Sequence, residues 1–279
     1  MTTQPPAPPS LPLFYAGPTV LRFPDHRSLG LRRTGDYSFA ADVVAVPLTL
    51  AEFATAGRSM PIVFAQDELA MPLGVCGLEA GRNLLVTKSG GWHPNRYVPA
   101  YIRRFPFIAM EIEEGGPRLL GIEATSSLVV TDAGADGGVR LFDEAGVPTD
   151  RAREAMALCE AYAVDHDATA AFAAALVEHK LLVPRQAEMR LLRADGASAE
   201  ADKSEGAPDT EANAVRATLA GFQVIDPAAF QALSGEVVAE FHTRGWLAPI
   251  VLHIASQQSW QLLLEAADQV ANEPAAKAA

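Results

Sequence analysis

One change in the residue pattern, near position 148, most constrains what this chain can fold into. Before it, short apolar runs alternate with glycine, proline and charged residues, as is typical of strands joined by turns. After it, alanine, leucine and glutamate dominate, and Phe172, Leu176 and Leu181 recur at helical spacing. We therefore expect an α+β protein whose β-rich first half, with a mostly antiparallel or mixed sheet, packs with an α-rich second half.

Short apolar runs in the first half are bounded by Gly, Pro or charged residues and predict core strands. They cover residues 43–46, 61–65, 72–75, 84–87, 107–112, 119–122 and 127–130. A short helix should interrupt them, because Thr49 and Glu52 have the spacing of a capping box and Gly57 can end the helix.

Helices are predicted in the second half over residues 150–164 and 168–180, where the composition favours helix. Residues typical of helix starts predict three more. These are Asp226 followed by Pro227, Ser234 for a helix that stops near Gly245, and Pro249 for a longer helix towards Ala267.

Composition also divides the chain into parts. Residues 1–21 form a Pro-rich tail that we expect to be disordered, because proline fixes φ and has no backbone donor. The β-rich half then covers residues 22–148 and the α-rich half residues 149–268. Within the latter, a loop at 194–214 has no apolar side chain larger than alanine and is expected to be disordered. Residues 269–279 are a C-terminal tail.

The charge of the chain excludes some partners. A net charge of -12 argues against nucleic acid and anionic membrane surfaces, which attract basic faces. The start does not resemble a secretory signal, and no run approaches the roughly 18 apolar residues of a membrane span, so we expect no membrane insertion. Two cysteines, Cys76 and Cys159, suit reduced thiols in a cytoplasm, and Cys76 is interpreted as buried. The expected location is cytoplasmic.

One segment is positively charged, although the chain as a whole is negatively charged. Residues 82–104, here called the basic island, contain no Asp or Glu, although the chain has 34 acidic residues against 22 Lys plus Arg. The cations of the basic island are Arg82, Lys88, Arg96, Arg103 and Arg104. Clustered guanidiniums repel one another unless a bound anion or the protein's own carboxylates offset their charge.

Aromatic side chains in the basic island offer flat faces for an arginine or a ligand ring. A ligand site there would use seven residues: Trp92, His93, Arg96, Tyr97, Tyr101, Arg103 and Arg104. The turn at 89–91 could add backbone amides for an oxyanion. In the alternative, purely structural interpretation, Arg103 and Arg104 pair with Glu111, Glu113 or Glu123 while the aromatics fill the core. Both interpretations stay open at this point.

Common enzyme fingerprints are missing from the sequence. It has no phosphate-binding P-loop, no dinucleotide-binding glycine motif and no Gly-x-Ser-x-Gly elbow. Its six histidines include no pair at metal-ligand spacing. We therefore assign no catalytic residue, metal or cofactor, and the protein is more simply explained as a non-enzyme.

The string Tyr97-Val98-Pro99-Ala100-Tyr101-Ile102-Arg103-Arg104, with Trp92 before it and Phe105-Pro106-Phe107 after it, resembles the central motif of the bacterial SapC family. Supporting matches lie at 60–64, 81–84, 141–146 and 245–247, and the resemblance runs from about His26 to Leu264. It implies no catalytic residues. The family is named after a surface-array locus, and some members look associated with gene sets for outer-membrane uptake and flavin-dependent halogenases.

Three functions remain as hypotheses. The first is a cytoplasmic binding or accessory protein whose basic island recognises an acidic small molecule, a peptide or a partner protein. The second is an enzyme that uses His93 with Arg103 and Arg104 as an anion clamp. The third is a structural protein associated with a surface layer.

Overall fold

The structure is a computed structural model that describes residues 11–32, 35–113, 115–192 and 214–272. Nearly all of the predicted loop at 194–214, and most of the tail at 269–279, lie outside the described residues. The chain folds into two compact units, each made of two separate segments. Unit 1 comprises Met1–Phe39 and Arg103–Val164, and unit 2 comprises Ala40–Ile102 and Asp165–Ala279. These units do not follow the predicted division at residue 148.

The protein is α+β, as the residue pattern predicts. Its strands are β1 (Thr19–Val20), β2 (Gly30–Leu31), β3 (Ala45–Pro47), β4 (Ile62–Ala65), β5 (Pro72–Val75), β6 (Phe107–Glu111), β7 (Arg118–Ile122), β8 (Val129–Val130), β9 (Val139–Arg140), β10 (Leu182–Leu192) and β11 (Ala214–Ile225). All strand pairs are antiparallel. Of the predicted runs, residues 84–87 do not form a strand and make only an isolated bridge between Val86 and Trp92.

The helices are α1 (Phe23–His26), α2 (Phe53–Ala56), α3 (Ala100–Arg104), α4 (Asp150–Glu178), α5 (Pro227–Gln231), α6 (Gly235–Thr243), α7 (Leu247–Ser256) and α8 (Trp260–Asn272). α4 is continuous where two helices were predicted, because no Gly or Pro interrupts it. The helix predicted from Pro249 starts two residues earlier and is divided by a 3₁₀ turn at Gln257–Ser259. None of the described helices is long and apolar enough to cross a bilayer.

Unit 1 contains two small sheets, with strand orders β1-β7-β6 and β8-β2-β9. Its core takes residues from both sheets and from the first turns of α4, where Ala152, Ala155 and Cys159 share one helical face. Residues 11–20, predicted as part of a disordered tail, have defined structure here. Tyr15 is buried, and β1 pairs with β7 at Thr19–Ile122 and Val20–Gly121. Local composition could not predict this, because the partner strand lies about a hundred residues away.

Unit 2 is built on one sheet with strand order β10-β11-β4-β5-β3. The long β10–β11 hairpin, which sequence analysis did not predict, joins the sheet where Phe222 and Gln223 pair with Ala65 and Phe64. Four fully buried phenylalanines mark the core: Phe53, Phe64, Phe172 and Phe241. Because β4 and β11 come from opposite halves of the sequence, the core of this unit requires both.

Helix caps in unit 2 follow the predicted chemistry. The Asp226 carboxylate accepts a hydrogen bond from the Ala228 amide at 2.9 Å, and the Ser234 hydroxyl accepts one from the Val237 amide. The capping box of Thr49 and Glu52 is present, although its helix begins as a 3₁₀ turn at Leu50–Glu52 before α2. These starts were predictable because a cap depends only on residues within one turn.

Candidate functional site

The first part of the basic island folds back on itself in unit 2. The His93 amide donates to the Leu85 carbonyl at 2.7 Å, and the Thr87 amide donates to the Gly91 carbonyl at 2.8 Å. Val86 and Trp92 face each other between these two bonds. We call residues 82–97 the basic hairpin. Its tip carries the exposed side chain of Lys88.

The glycine turn at the tip is closed by its own hydrogen bonds. Gly90 has φ of +83°, a left-handed conformation that glycine adopts without steric cost. Its amide donates to the Thr87 carbonyl at 2.9 Å, and the Thr87 hydroxyl donates to the Gly91 carbonyl at 3.1 Å. Because the Gly90 amide is used inside the turn, the predicted oxyanion contact at 89–91 loses one of its donors.

A buried carboxylate holds the far end of the basic hairpin. Glu52 is only 4 % exposed. Its Oε2 accepts the Thr49 amide at 2.8 Å and the Thr49 hydroxyl at 3.0 Å, while its Oε1 accepts the Tyr97 hydroxyl at 3.1 Å and the Ala100 amide at 2.7 Å. Sequence analysis found the capping box but not the second pair of bonds. The available signal was that a capping box uses one carboxylate oxygen and leaves the other free to bond elsewhere.

The aromatic residues of unit 2 stabilise the hairpin from within. The Trp92 indole donates to the Tyr97 carbonyl at 3.1 Å, and the Tyr97 amide donates to the Ser59 hydroxyl oxygen at 3.0 Å. Tyr101 is 4 % exposed. Of the predicted binding residues, Tyr101 is therefore a core residue, whereas Trp92 and Tyr97 are half-buried.

Two cations of the basic hairpin have no internal counter-charge among the described residues. Arg82 is exposed and Arg96 is half-buried. Across residues 11–32, 35–113, 115–192 and 214–272, no carboxylate lies at ion-pair distance from either guanidinium. His93 is half-buried, and its Nδ1 lies 3.2 Å from the Pro94 carbonyl oxygen.

The last two arginines of the basic island belong to unit 1 and differ from each other. Arg103 is exposed, whereas Arg104 is 7 % exposed. The Arg104 guanidinium lies over the ring of Tyr162 at 4.2 Å and 5.8 Å from the ring centre of Tyr15, which are cation–π contacts. Arg104 is therefore a buried packing residue in this structure.

Two of the three acids named in the structural alternative, Glu111 and Glu123, accept hydrogen bonds from backbone amides. Glu123 accepts the amides of Ala16 and Gly17, both at 2.8 Å. Glu111 accepts the Gly115 amide. The seven predicted site residues are thus divided between units, with Trp92, His93, Arg96, Tyr97 and Tyr101 in unit 2 and Arg103 and Arg104 in unit 1.

Potentially reactive side chains are buried. Cys76 is fully buried, as predicted, and burial raises the pKa of its thiol to about 12. Burial likewise raises the pKa of Cys159 to about 11. A thiol with such a pKa is protonated at neutral pH and is a poor nucleophile. Among the described residues, no three His, Cys, Asp or Glu side chains are grouped as metal ligands.

The comparison with family models decides the family. The model described as SapC matches residues 21–263 of the 279 in the chain. The chain belongs to the SapC family. The match covers the whole basic island, and the resemblance to this family inferred from the sequence is confirmed. We call the string at 97–107, which carried that resemblance, the SapC motif. No curated protein and no solved structure matches the chain.

Proposed function

We propose that this SapC-family protein is a binding or accessory protein that recognises an acidic small molecule, or an acidic segment of a partner protein, through its basic hairpin. The observation that carries the proposal is the pair Arg82 and Arg96, which have no carboxylate partner among the described residues. A carboxylate or phosphate can accept two parallel hydrogen bonds from one guanidinium, so such arginines suit anionic guests.

The rigidity of the hairpin supports recognition of a ligand. A site that is already ordered loses less conformational entropy on binding than a flexible loop. Trp92, Tyr97 and Glu52 order the segment around Arg96 through their hydrogen bonds. Trp92 and Tyr97, both half-buried, are aromatic residues of the same hairpin and are suited to apolar contact with a guest.

Binding accounts for these features more simply than catalysis does. His93 is the candidate general base of the enzyme hypothesis, but its Nδ1 lies near the carbonyl oxygen of the next residue. Both thiols are buried and have raised pKa values. An anion-binding hairpin requires none of these groups to react.

Isothermal titration calorimetry with citrate, inorganic phosphate and a hexaglutamate peptide tests the proposal. We expect at least one probe to bind, and Arg82→Ala or Arg96→Ala to weaken its binding about tenfold or more, because a charge-assisted hydrogen bond contributes roughly 1.5–3 kcal/mol. Binding should weaken further with added salt.

Arg58→Ala is the matched control. Arg58 is an exposed arginine of unit 2 outside the basic hairpin, and its loss changes the net charge by the same amount. If no probe binds, or if Arg58→Ala weakens binding as much as the hairpin variants do, the proposal fails.

A further inference from the structure

We propose that Ser59 is a positioning residue for the anion site, because it fixes the backbone at Arg96, and that polar side chains at the junction of α7 and α8 hold Ser59 in place. The inference rests on the function proposed for the basic hairpin, since Ser59 affects an anion only through Arg96. The residues involved all belong to unit 2. Ser59 lies outside the basic hairpin and is 5 % exposed, so a bound anion would touch little of it.

The peptide groups on both sides of the Arg96 Cα atom are hydrogen-bonded. On one side, the Arg96 amide donates to the His93 carbonyl at 3.2 Å. On the other side, the Tyr97 amide belongs to the same peptide group as the Arg96 carbonyl, and it donates to Ser59 Oγ at 3.0 Å. A residue has only two soft backbone torsions, so fixing the peptide group on each side sets the direction in which its side chain leaves the backbone. Ser59 therefore helps to aim the Arg96 side chain.

The backbone at Arg82, the other arginine of the proposed site, is held by different residues. The peptide group that follows Arg82 is fixed by the Asn83 amide, which donates to the Ala41 carbonyl at 2.7 Å. The Asn83 side chain donates to the Ala40 carbonyl at 3.0 Å. Ser59 should therefore influence one arginine of the site and not the other, which makes its role measurable.

The segment that carries Ser59, residues 57–62, is here called the bridging segment, and the junction of α7 and α8 holds its first end. The Gly57 carbonyl accepts a hydrogen bond from the Ser259 hydroxyl at 2.6 Å. A Cβ atom added at Gly57 would lie 3.2 Å from the Cβ atom of Ser256, so the junction packs closely against the backbone here. Both serines are buried, and a buried hydrogen bond has no competing water.

The same junction holds the second end of the bridging segment. The Ile62 amide donates to Ser256 Oγ at 3.1 Å, and the Ile62 carbonyl accepts the Gln257 side-chain amide at 2.8 Å. Both side chains are themselves oriented, because the Ser256 hydroxyl donates to the His253 carbonyl at 2.7 Å and Gln257 Oε1 accepts the Trp260 indole at 3.1 Å. With both of its ends bonded to one rigid junction, the bridging segment presents its central serine at a fixed place.

Combining Ser59→Ala with the two arginine variants tests the assignment by calorimetry with citrate, inorganic phosphate or hexaglutamate, whichever binds the wild type. We expect Ser59→Ala to weaken binding about fivefold in the wild type and again in Arg82→Ala. In Arg96→Ala its effect should fall below about twofold, because the side chain that it aims is already absent. A serine that only stabilised the fold would weaken binding equally in both arginine backgrounds, and that result overturns the proposal.

Hydrogen exchange measured by mass spectrometry tests the positioning without a ligand. In Ser59→Ala and in Ser259→Ala we expect the Tyr97 amide to exchange about fivefold or more faster than in the wild type. Ser234→Ala is the matched control, because it also removes a hydroxyl that accepts a backbone amide, but at the start of α6. It should leave the exchange of the Tyr97 amide unchanged.

The two measurements distinguish this inference from the function on which it rests. If no probe binds the wild type, the proposed function fails, and exchange of the Tyr97 amide alone decides whether Ser59 fixes the backbone at Arg96. If that exchange is the same in Ser59→Ala and Ser259→Ala as in Ser234→Ala, the inference is overturned even when a probe binds. Faster exchange in Ser59→Ala alone would overturn the role of the junction.

Discussion

At the residue scale, different contacts compensate the buried polar groups of this protein for their lost hydration. Glu52 and Glu123 stay buried because hydrogen bonds reach both oxygens of each carboxylate. Arg104 packs on aromatic rings. His253, with no exposed surface, lies 5.1 Å from the ring of Phe64, and its Nδ1 has no hydrogen-bond partner among the described residues. Burial lowers the pKa of His253 to about 4, so it is neutral at pH 7.

The buried His253 predicts acid sensitivity. Its pKa is about 4 in the folded protein, against an ordinary histidine value of 6.5, so the unfolded chain takes up the proton first as the pH falls. Stability is therefore fully present above pH 6.5 and is lost between about pH 6.5 and 4, by about 3 kcal/mol at most. Urea unfolding at pH 7 and pH 5 should show the wild type losing about 2 kcal/mol more than His253→Gln. His242→Gln, at an exposed histidine, should behave as the wild type; equal losses in all three proteins would contradict the assignment.

At the element scale, the basic hairpin is positioned by the cap of another element. Glu52 belongs to the 3₁₀ turn that leads into α2, yet two of its four hydrogen bonds come from Tyr97 and Ala100 of the SapC motif. A cap that also binds a distant loop couples the two, so we expect that loss of the cap loosens the loop. The seemingly local capping box is thus part of the candidate site.

Glu52→Gln should therefore destabilise the protein more than an ordinary cap substitution. An amide presents a single acceptor oxygen where four donors converge, which leaves buried donors unsatisfied, and we expect the free energy of unfolding to fall by about 2–4 kcal/mol. Tyr97→Phe removes one of the four bonds and should cost about 1 kcal/mol. Urea unfolding at pH 7 measures both. Glu79→Gln, at an exposed glutamate of unit 2, should change stability little, and a Glu52→Gln variant as stable as Glu79→Gln would refute the coupling.

At the scale of the whole molecule, neither unit is a continuous stretch of sequence. Unit 2 takes β3, β4 and β5 from the first half of the chain and β10 and β11 from the second, with β11 beside β4 in the sheet. The Ile62 amide and carbonyl bond to Ser256 and Gln257 at 3.1 and 2.8 Å, which adds a second connection between the halves. The core of unit 2 therefore forms only when both halves are present.

Separating the chain at residue 148 tests this arrangement. Expressed alone, residues 1–148 lack β11, α7 and the rest of the second half that covers β4, and we expect no cooperative thermal unfolding by circular dichroism. Co-expression with residues 149–279 should restore a cooperative transition. A cooperative melt of residues 1–148 alone would show that the first half has a core of its own and would contradict this arrangement.

The sequence by itself determined the features that depend on neighbouring residues. It predicted the α+β class, the bounds of β5, the caps at Asp226 and Ser234, the buried Cys76 and the SapC family. Hydrophobic periodicity, helix caps and sequence motifs each depend on residues that are close together in the chain, so they can be found in a single sequence. The tertiary structure alone decided that Tyr97 bonds to Glu52, that β11 pairs with β4 and that residues 11–20 dock on Glu123. Each of these joins segments 45 to 158 residues apart, and a local pattern does not specify which distant segment will supply the partner.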